Sequence, residues 1–265
     1  MNMLKDSSRE ISLNRDTGLL KLLACLFMLS DHLGKMIFPN VYTIKVTGTF
    51  AFLLPSSNIM RAFGRLAMPL FAYCIAVGCL KTRNIWKYVL RLFLMAVLVQ
   101  PLYQAAMGHV TIGTFDWLHD FWRVDLIYEH YYAKNLCILF TLSLAAFVIA
   151  CYRTNKYPLM VLAVLLVWYL RSRLDYGYKA VTLIVLFYAF IDKPLASFMA
   201  VFTYMLWWAM PRFAEGNTST SSQLYAILSL ALIYIPMPRR VMLPKWAFYA
   251  FYPAHLLVIY LLQLI

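Results

Sequence analysis

The stretch KLLACLFMLSDHLG, residues 21–34, ends a hydrophobic run with two adjacent ionisable side chains, Asp31 and His32. An imidazole titrates near neutral pH and can serve as general base or as nucleophile, and a carboxylate close by can orient it. Eleven residues separate Lys21 from His32, about three helical turns and about 16 Å of rise, so on a helix the two share a face. Such a helix offers a cation at one end and an imidazole well above it. The bland alternatives are a Lys21 that snorkels to the membrane surface and a His32 that makes an interhelical hydrogen bond.

Other groups sit equally far from water. A charge near the bilayer centre costs about 2.5–3.5 kcal/mol on insertion scales, so intramembrane ionisable residues are functional candidates by default. Arg61 and Arg65 are four apart and fall on one helical face. Arg61 is expected at the outer interface, where it needs no special account, whereas Arg65 lies inside an apolar run. Gly64 allows close helix approach, and Pro69 frees a carbonyl or kinks the span. Near the C-terminus Tyr252 and His255 stand one turn apart with Pro253 between them, and His255 is ten residues from Lys245, about 15 Å. Asn135 and the Asp175-Tyr176 pair open further apolar runs, either as helix caps or as part of a polar chamber.

The elements that must hold these groups are transmembrane helices. Of the 265 residues 63% are hydrophobic and 13% charged, with a mean hydropathy of +0.69. A soluble domain would be about a quarter charged. Apolar runs predict an all-α, polytopic integral membrane bundle of about nine helices, with eight to ten as the range. The spans are expected near 18–38, 62–80, 86–107, 133–151, 157–170, 176–191, 194–211, 222–237 and 245–264. Residues 1–17 form a polar tail ahead of one membrane domain, 18–265. Residues 41–57, with Gly48 and Pro55, are expected to re-enter the membrane or lie at its surface rather than cross it. The net charge of +13 is spread over short connections, which the positive-inside rule explains without nucleic acid. Lys81, Arg83 and Lys87 fall on the same side as the tail, and the acidic, aromatic loop 108–132 falls on the other. The N-terminus is therefore expected in the cytoplasm and the C-terminus outside, with Arg171, Arg173 and Arg212 as exceptions to the bias. The first run lacks a small-residue cleavage site and is expected to be retained. The five cysteines read as packed thiols. His109, His119 and His130 show no zinc spacing, so no metal is expected. Asn217-Thr-Ser219 fits a glycosylation triplet, a pattern common by chance.

Five motifs in order resemble the TraX family: Lys21-x10-His32 ending in Asp-His, GRLAMPLF at 64–71, Asn135 with FTL at 140–142, Asp175-Tyr-Gly177, and FYPAHL from Phe251. That family includes the enzyme that acetylates F-type pilin, and it is similar to the wider group of transmembrane acyltransferases that modify surface polysaccharides. Many of those polysaccharide enzymes carry arginine where this chain has Lys21, so the charge is kept and the planar fork is lost. The resemblance, running over about residues 18–260, implies an acetyl-CoA-dependent acyltransferase in a bacterial inner membrane. Its acceptor at the outer face would be a pilin-like peptide N-terminus, a glycan or a lipid, of unknown identity. Lys21, with the basic Lys81, Arg83, Lys87 and Arg91, would meet the phosphates of acetyl-CoA. His32 would act as base or as an acetylated nucleophile, with Asp31 orienting it directly or through another residue. Arg65, His255 and Tyr252 would shape the chamber and stabilise the oxyanion, with Asn135, Asp175 and Tyr176 around them. The competing reading is a proton-coupled transporter or permease built on the same buried groups, with a non-enzymatic scaffold behind it.

Overall fold

Pro69, Pro101 and Pro253 interrupt three apolar runs, and each withdraws the backbone N–H that the carbonyl four residues earlier would receive. In hydrocarbon such a carbonyl must find another donor. The computed structural model describes residues 17–39, 43–44, 57–109, 123–133, 135–210, 222–235 and 244–264. The elements are α1 (Gly18–Met36), β1 (Thr43–Ile44), β2 (Ser57–Asn58), α2 (Ile59–Gly64), α3 (Ala67–Lys81), α4 (Ile85–Ala106) and α5 (Val124–Ile127). After a π-helical turn (Tyr128–Tyr132) come α6 (Ile138–Arg153), α7 (Tyr157–Tyr169), α8 (Gly177–Ala189) and α9 (Pro194–Ala209). A 3-10 segment (Ser222–Leu228) leads into α10 (Ser229–Tyr234), and α11 (Lys245–Gln263) follows.

Helix occupies every expected span, and the chain is an all-α membrane bundle. Among the described residues three helical stretches are both long and apolar enough to cross a bilayer: Ile59–Lys81, Ile85–Ala106 and Trp246–Gln263. α1 has 19 residues but includes Lys21, Asp31 and Lys35, and the other apolar helices are 10–17 residues long. Helix length and composition among the described residues do not confirm the expected count of nine crossings. β1 pairs antiparallel with β2, Thr43 opposite Asn58. Residues 45–56, the body of the expected re-entrant piece, lie outside the described residues, as do the tail to residue 16, His119 and the Asn217 triplet.

Contacts divide the chain into two compact units, Met1–Leu80 with Leu183–Phe248, and Lys81–Thr182 with Tyr249–Ile265. In the first unit α1 packs on α2, while α9 packs on the 3-10 segment. Tyr73 of α3 meets Phe187 of α8 edge to face, with ring centroids 5.5 Å apart. In the second unit α4 packs along α6. The fully buried Ala96, Ala145, Ala146 and Ala150 let the backbones of such helices come close. α7 buries only Ala163 and Val167, and leaves Val161, Leu162, Leu165, Trp168 and Tyr169 exposed, as a hydrocarbon-facing helix does. Arg171 stacks on Trp168, 4.6 Å from its ring centroid, and Arg173 donates to the Tyr128 hydroxyl at 3.1 Å. Aromatic partners thus hold two of the cations that run against the charge bias.

The prolines are handled differently. Pro69 has no N–H for the Arg65 carbonyl, and the helix stops at Gly64 and restarts at Ala67, where Pro69 falls in a first turn that tolerates it. Pro101 stays inside an unbroken α4, because the Tyr132 hydroxyl donates to the Val97 carbonyl at 2.8 Å. Replacing Tyr132 by Phe strands that carbonyl and should cost about 1–3 kcal/mol. Most of the loss should return in the Tyr132→Phe, Pro101→Ala double variant, which restores a backbone donor, as read from thermal unfolding in detergent.

Candidate active site

In the first unit the chemistry gathers where α1 meets α2. Asn58 caps α2 by accepting from the Met60 N–H at 2.9 Å, and its Nδ2 donates to the Phe38 carbonyl at 2.7 Å, which ties the end of α1 to the start of α2. Ser30 donates to the Met60 carbonyl at 3.0 Å. Gly34 and Gly64 then admit the opposing backbone. A Cβ at Gly34 would come 2.7 Å from the Met60 Cβ, and one at Gly64 would overlap the Asp31 side chain and come 2.7 Å from its Cα. Asp31 is thereby pressed against α2. Its Oδ1 lies 3.9 Å from the Arg61 Nε, an ion pair too long for a hydrogen bond. Arg65 also acts on it electrostatically, and Lys35 does so from one turn along α1. The carboxylate side chain is 17% exposed and that of Arg61 39%, so the arginine reaches outward from a shielded anion. The Asp31 Oδ1, Arg61 Nε and Arg65 Nε are buried without a hydrogen-bond partner among the described residues.

α1 is unbroken from Gly18 to Met36, so Lys21 and His32 do stand about three turns apart on one helix. Lys21, Cys25, Met28 and His32 follow one another at spacings of four, three and four, a single stripe. Cys25 and Met28 are buried, and His32 is half-buried at the stripe's far end. The Lys21 Nζ lies 5.5 Å from the Phe248 ring centroid and within electrostatic reach of Cys25 and Cys74. Lys21 therefore packs against an aromatic ring rather than lying along a bare helix flank.

The second unit holds another polar cluster. Gln100 and Gln104, one turn apart on α4 and fully buried, each donate to the carbonyls of Tyr131 and Asn135 at 2.7–3.0 Å. The Gln100 Oε1 accepts from the Cys137 backbone N–H at 2.9 Å. Cys137, not Asn135, precedes the first residue of α6, so the expectation of an Asn135 cap is corrected. The Asn135 side chain is exposed and lies 3.4 Å from the His109 Nε2. The Tyr252 hydroxyl is buried near the Cys137 thiol, and both fall within electrostatic reach of Asp175 and Tyr103. His255 is buried, with its ring 5.3 Å from Tyr252 and its Nδ1 3.0 Å from the Phe251 carbonyl. Thr141 donates to the Asp175 carbonyl at 3.0 Å. Tyr176 and Gly177 both adopt positive φ, +59° and +56°. A side chain other than glycine is strained there, and such outliers collect at functional sites. Asp175, Tyr176, Tyr252, Asn135 and His255 thus all belong to this unit, and Asp31, His32, Arg65 and Lys21 to the other.

Lys81, Arg83, Lys87 and Arg91 are exposed where α3 ends and α4 begins. Arg153 joins them by donating to the Thr82 carbonyl at 3.2 Å, and the Lys156 Nζ lies 4.8 Å from the Trp86 ring centroid. This end of α4 and α6 is a concentrated cationic surface. Among the described residues no group of three or more His, Cys, Asp or Glu is placed to hold a metal ion.

The model of the TraX protein family matches residues 16–263, nearly the whole chain and both units. The chain belongs to the TraX family. A probable fimbrial assembly protein, FimC of serogroup H1 from Dichelobacter nodosus, is 24% identical over 220 residues, covering 74% of this chain and 80% of that protein. No solved structure matches.

Within this TraX-family fold, sequence reasoning passed over Gln100, Gln104 and Tyr103. Arg61 reads from its four-residue spacing as sharing a face with Arg65, but as an interfacial residue that needs no partner. The glutamines share that spacing inside an apolar run but carry no charge to mark them. The geometry at Gly64 makes a sharp demand on stability. Gly64→Ala drives a methyl into Asp31 backbone, which should cost about 1–3 kcal/mol or more. Gly34→Ala, which meets side-chain and not backbone carbon at its closest point, should cost less. Thermal midpoints of both variants in detergent check the order.

Proposed function

We propose that this chain is a membrane-embedded acyltransferase that moves an acetyl group from cytoplasmic acetyl-CoA to an amine or hydroxyl at the outer face of a bacterial inner membrane. The observation that carries the reading is the Lys21–His32 stripe. It lies on one unbroken helix with buried Cys25 and Met28 between its ends. Its length of about 16 Å suits an extended pantetheine arm. TraX membership supports acetyl transfer by resemblance, and the relative named for fimbrial assembly supports a pilin-like peptide among the acceptors, beside a glycan or a lipid.

In this reading the acceptor nitrogen or oxygen attacks the thioester carbonyl and His32 takes its proton. The carbon–sulfur bond breaks, and the departing thiolate receives the proton from the imidazolium. Arg65 faces the charge that develops on the carbonyl oxygen. Asp31, turned to the arginines, positions Arg65 and holds α1 at a fixed rotation. Lys21 and the exposed Lys81, Arg83, Lys87 and Arg91 supply positive charge for the donor's phosphates. By the family resemblance His255 and Tyr252 keep their roles in shaping the chamber and stabilising the oxyanion, with Asn135, Asp175 and Tyr176 as chamber residues.

Purified protein supplied with acetyl-labelled acetyl-CoA and a membrane extract as acceptor source should transfer label. His32→Ala should lower the rate by about 10²–10⁴. Transfer at the wild-type rate by His32→Ala would remove the imidazole from the chemistry.

A further inference from the structure

The contact between α1 and α2 is out of electrical balance. Arg61, Arg65 and Lys35 act on a single carboxylate, Asp31. Three cations against one anion leave a surplus of two positive charges. If the arginines served only to neutralise Asp31, one would suffice, and it would be expected to pair in the bidentate geometry that guanidinium and carboxylate favour. Instead Asp31 is pinned by the Gly64 backbone, stands 3.9 Å from the Arg61 Nε, and accepts no hydrogen bond through Oδ1 among the described residues. The Nε groups of Arg61 and Arg65 are buried donors without an acceptor among the described residues. Buried donors and uncompensated charge are costly, and both costs fall when an anion with several oxygens is bound.

We propose that Arg61 and Arg65, with Lys35 beside them, form a binding site for an oxyanion of the phosphate class at the α1–α2 contact. The planar guanidinium fork suits phosphate oxygens. The anion is either the phosphate of a lipid headgroup or that of a soluble phosphate compound. Arg61, with a side chain 39% exposed, faces its point of entry. A guanidinium carries five N–H donors, so Arg65 can serve this anion as well as a reacting carbonyl. The site does not depend on acyl transfer, and its measurement reads none.

The full chain in neutral detergent is titrated with inorganic phosphate at constant ionic strength, with chloride as the balancing ion, while the unfolding midpoint is followed. A saturable rise is expected, as binding to the folded state alone requires. Arg61→Gln and Arg65→Gln should weaken apparent binding about tenfold or more, through loss of charge-assisted hydrogen bonds. Asp31→Asn removes the competing carboxylate and should tighten it. Should the arginine variants fail to fold, Asp31→Asn and the exposed Lys35→Gln give the opposite shifts that decide the matter. The same titration in nanodiscs separates the sources. If phosphatidylglycerol, but not phosphatidylcholine, raises the midpoint and abolishes the phosphate response, the occupant is a headgroup. A phosphate response that persists in phosphatidylglycerol marks a soluble phosphate compound. A wild-type chain indifferent to both phosphate and phosphatidylglycerol, or an affinity for phosphate unchanged by Asp31→Asn and Lys35→Gln, overturns the site.

Discussion

The contact between Gly64 and Asp31 governs the first unit, because it brings a carboxylate on an apolar helix within reach of two arginines. An isolated carboxylate in such surroundings would be expensive, and its partners must come from a neighbouring helix. α2 supplies both because Arg61 and Arg65 are one turn apart, and it comes near enough because position 64 has no side chain to hold it off. Asn58 and Ser30 fasten the same two helices by hydrogen bonds to backbone carbonyls. The ion cluster is therefore built on backbone proximity, and the charges follow from it.

Backbone accounting explains much of what surrounds that contact. Within hydrocarbon every carbonyl needs a donor from the protein, and proline removes one. At Pro69 the helix breaks, which leaves Arg65 just past the end of α2, with its backbone N–H shared between the Arg61 and Ala62 carbonyls at 3.1 and 3.3 Å. At Pro101 the helix persists, because a tyrosine from the π-helical turn replaces the missing donor. That turn is itself held by Gln100 and Gln104, whose amides satisfy carbonyls of a non-helical stretch entering α6. Thus one proline creates a terminus for a charged side chain, and the other ties an irregular segment to a regular helix.

Much of this was legible in the sequence, and the remainder was hidden for physical reasons. Apolar runs locate the helices because burial in lipid is set by composition, and helix occupies each expected segment from 18–38 to 245–264. Crossing is a matter of length, however, and turns such as that at Asp175–Gly177 shorten the helices beside them. Pro69 and Gly64 could be read as a kink and a close approach. That the approach ends on Asp31 could not, since it depends on how two helices are rotated against each other. Arg61 reads as an interfacial residue, because charge at a helix end is ordinarily solvated. Gln100 and Gln104 were invisible to a search for charge, although a buried amide in an apolar helix has the same need for partners. Asn135 resembled a cap by its type. Gln100 displaces that role to Cys137 by accepting from its N–H.

The rotation of α1 links these observations to the proposed chemistry. Each residue advances about 100° around a helix. Phe27, Ser30, Asp31 and Gly34, which engage α2, therefore fall within about a third of the circumference. Lys21 and His32, eleven residues apart, differ by only about 20° and lie roughly opposite the centre of that arc. Anchoring one side of α1 to α2 thus forces the other side, with Cys25 and Met28, toward the interior of the unit, where Lys21 meets Phe248. Asp31 cannot turn both ways: a carboxylate committed to the arginines sits about 100° from the adjacent imidazole. Its effect on His32 is then exerted through the fixed rotation of the helix.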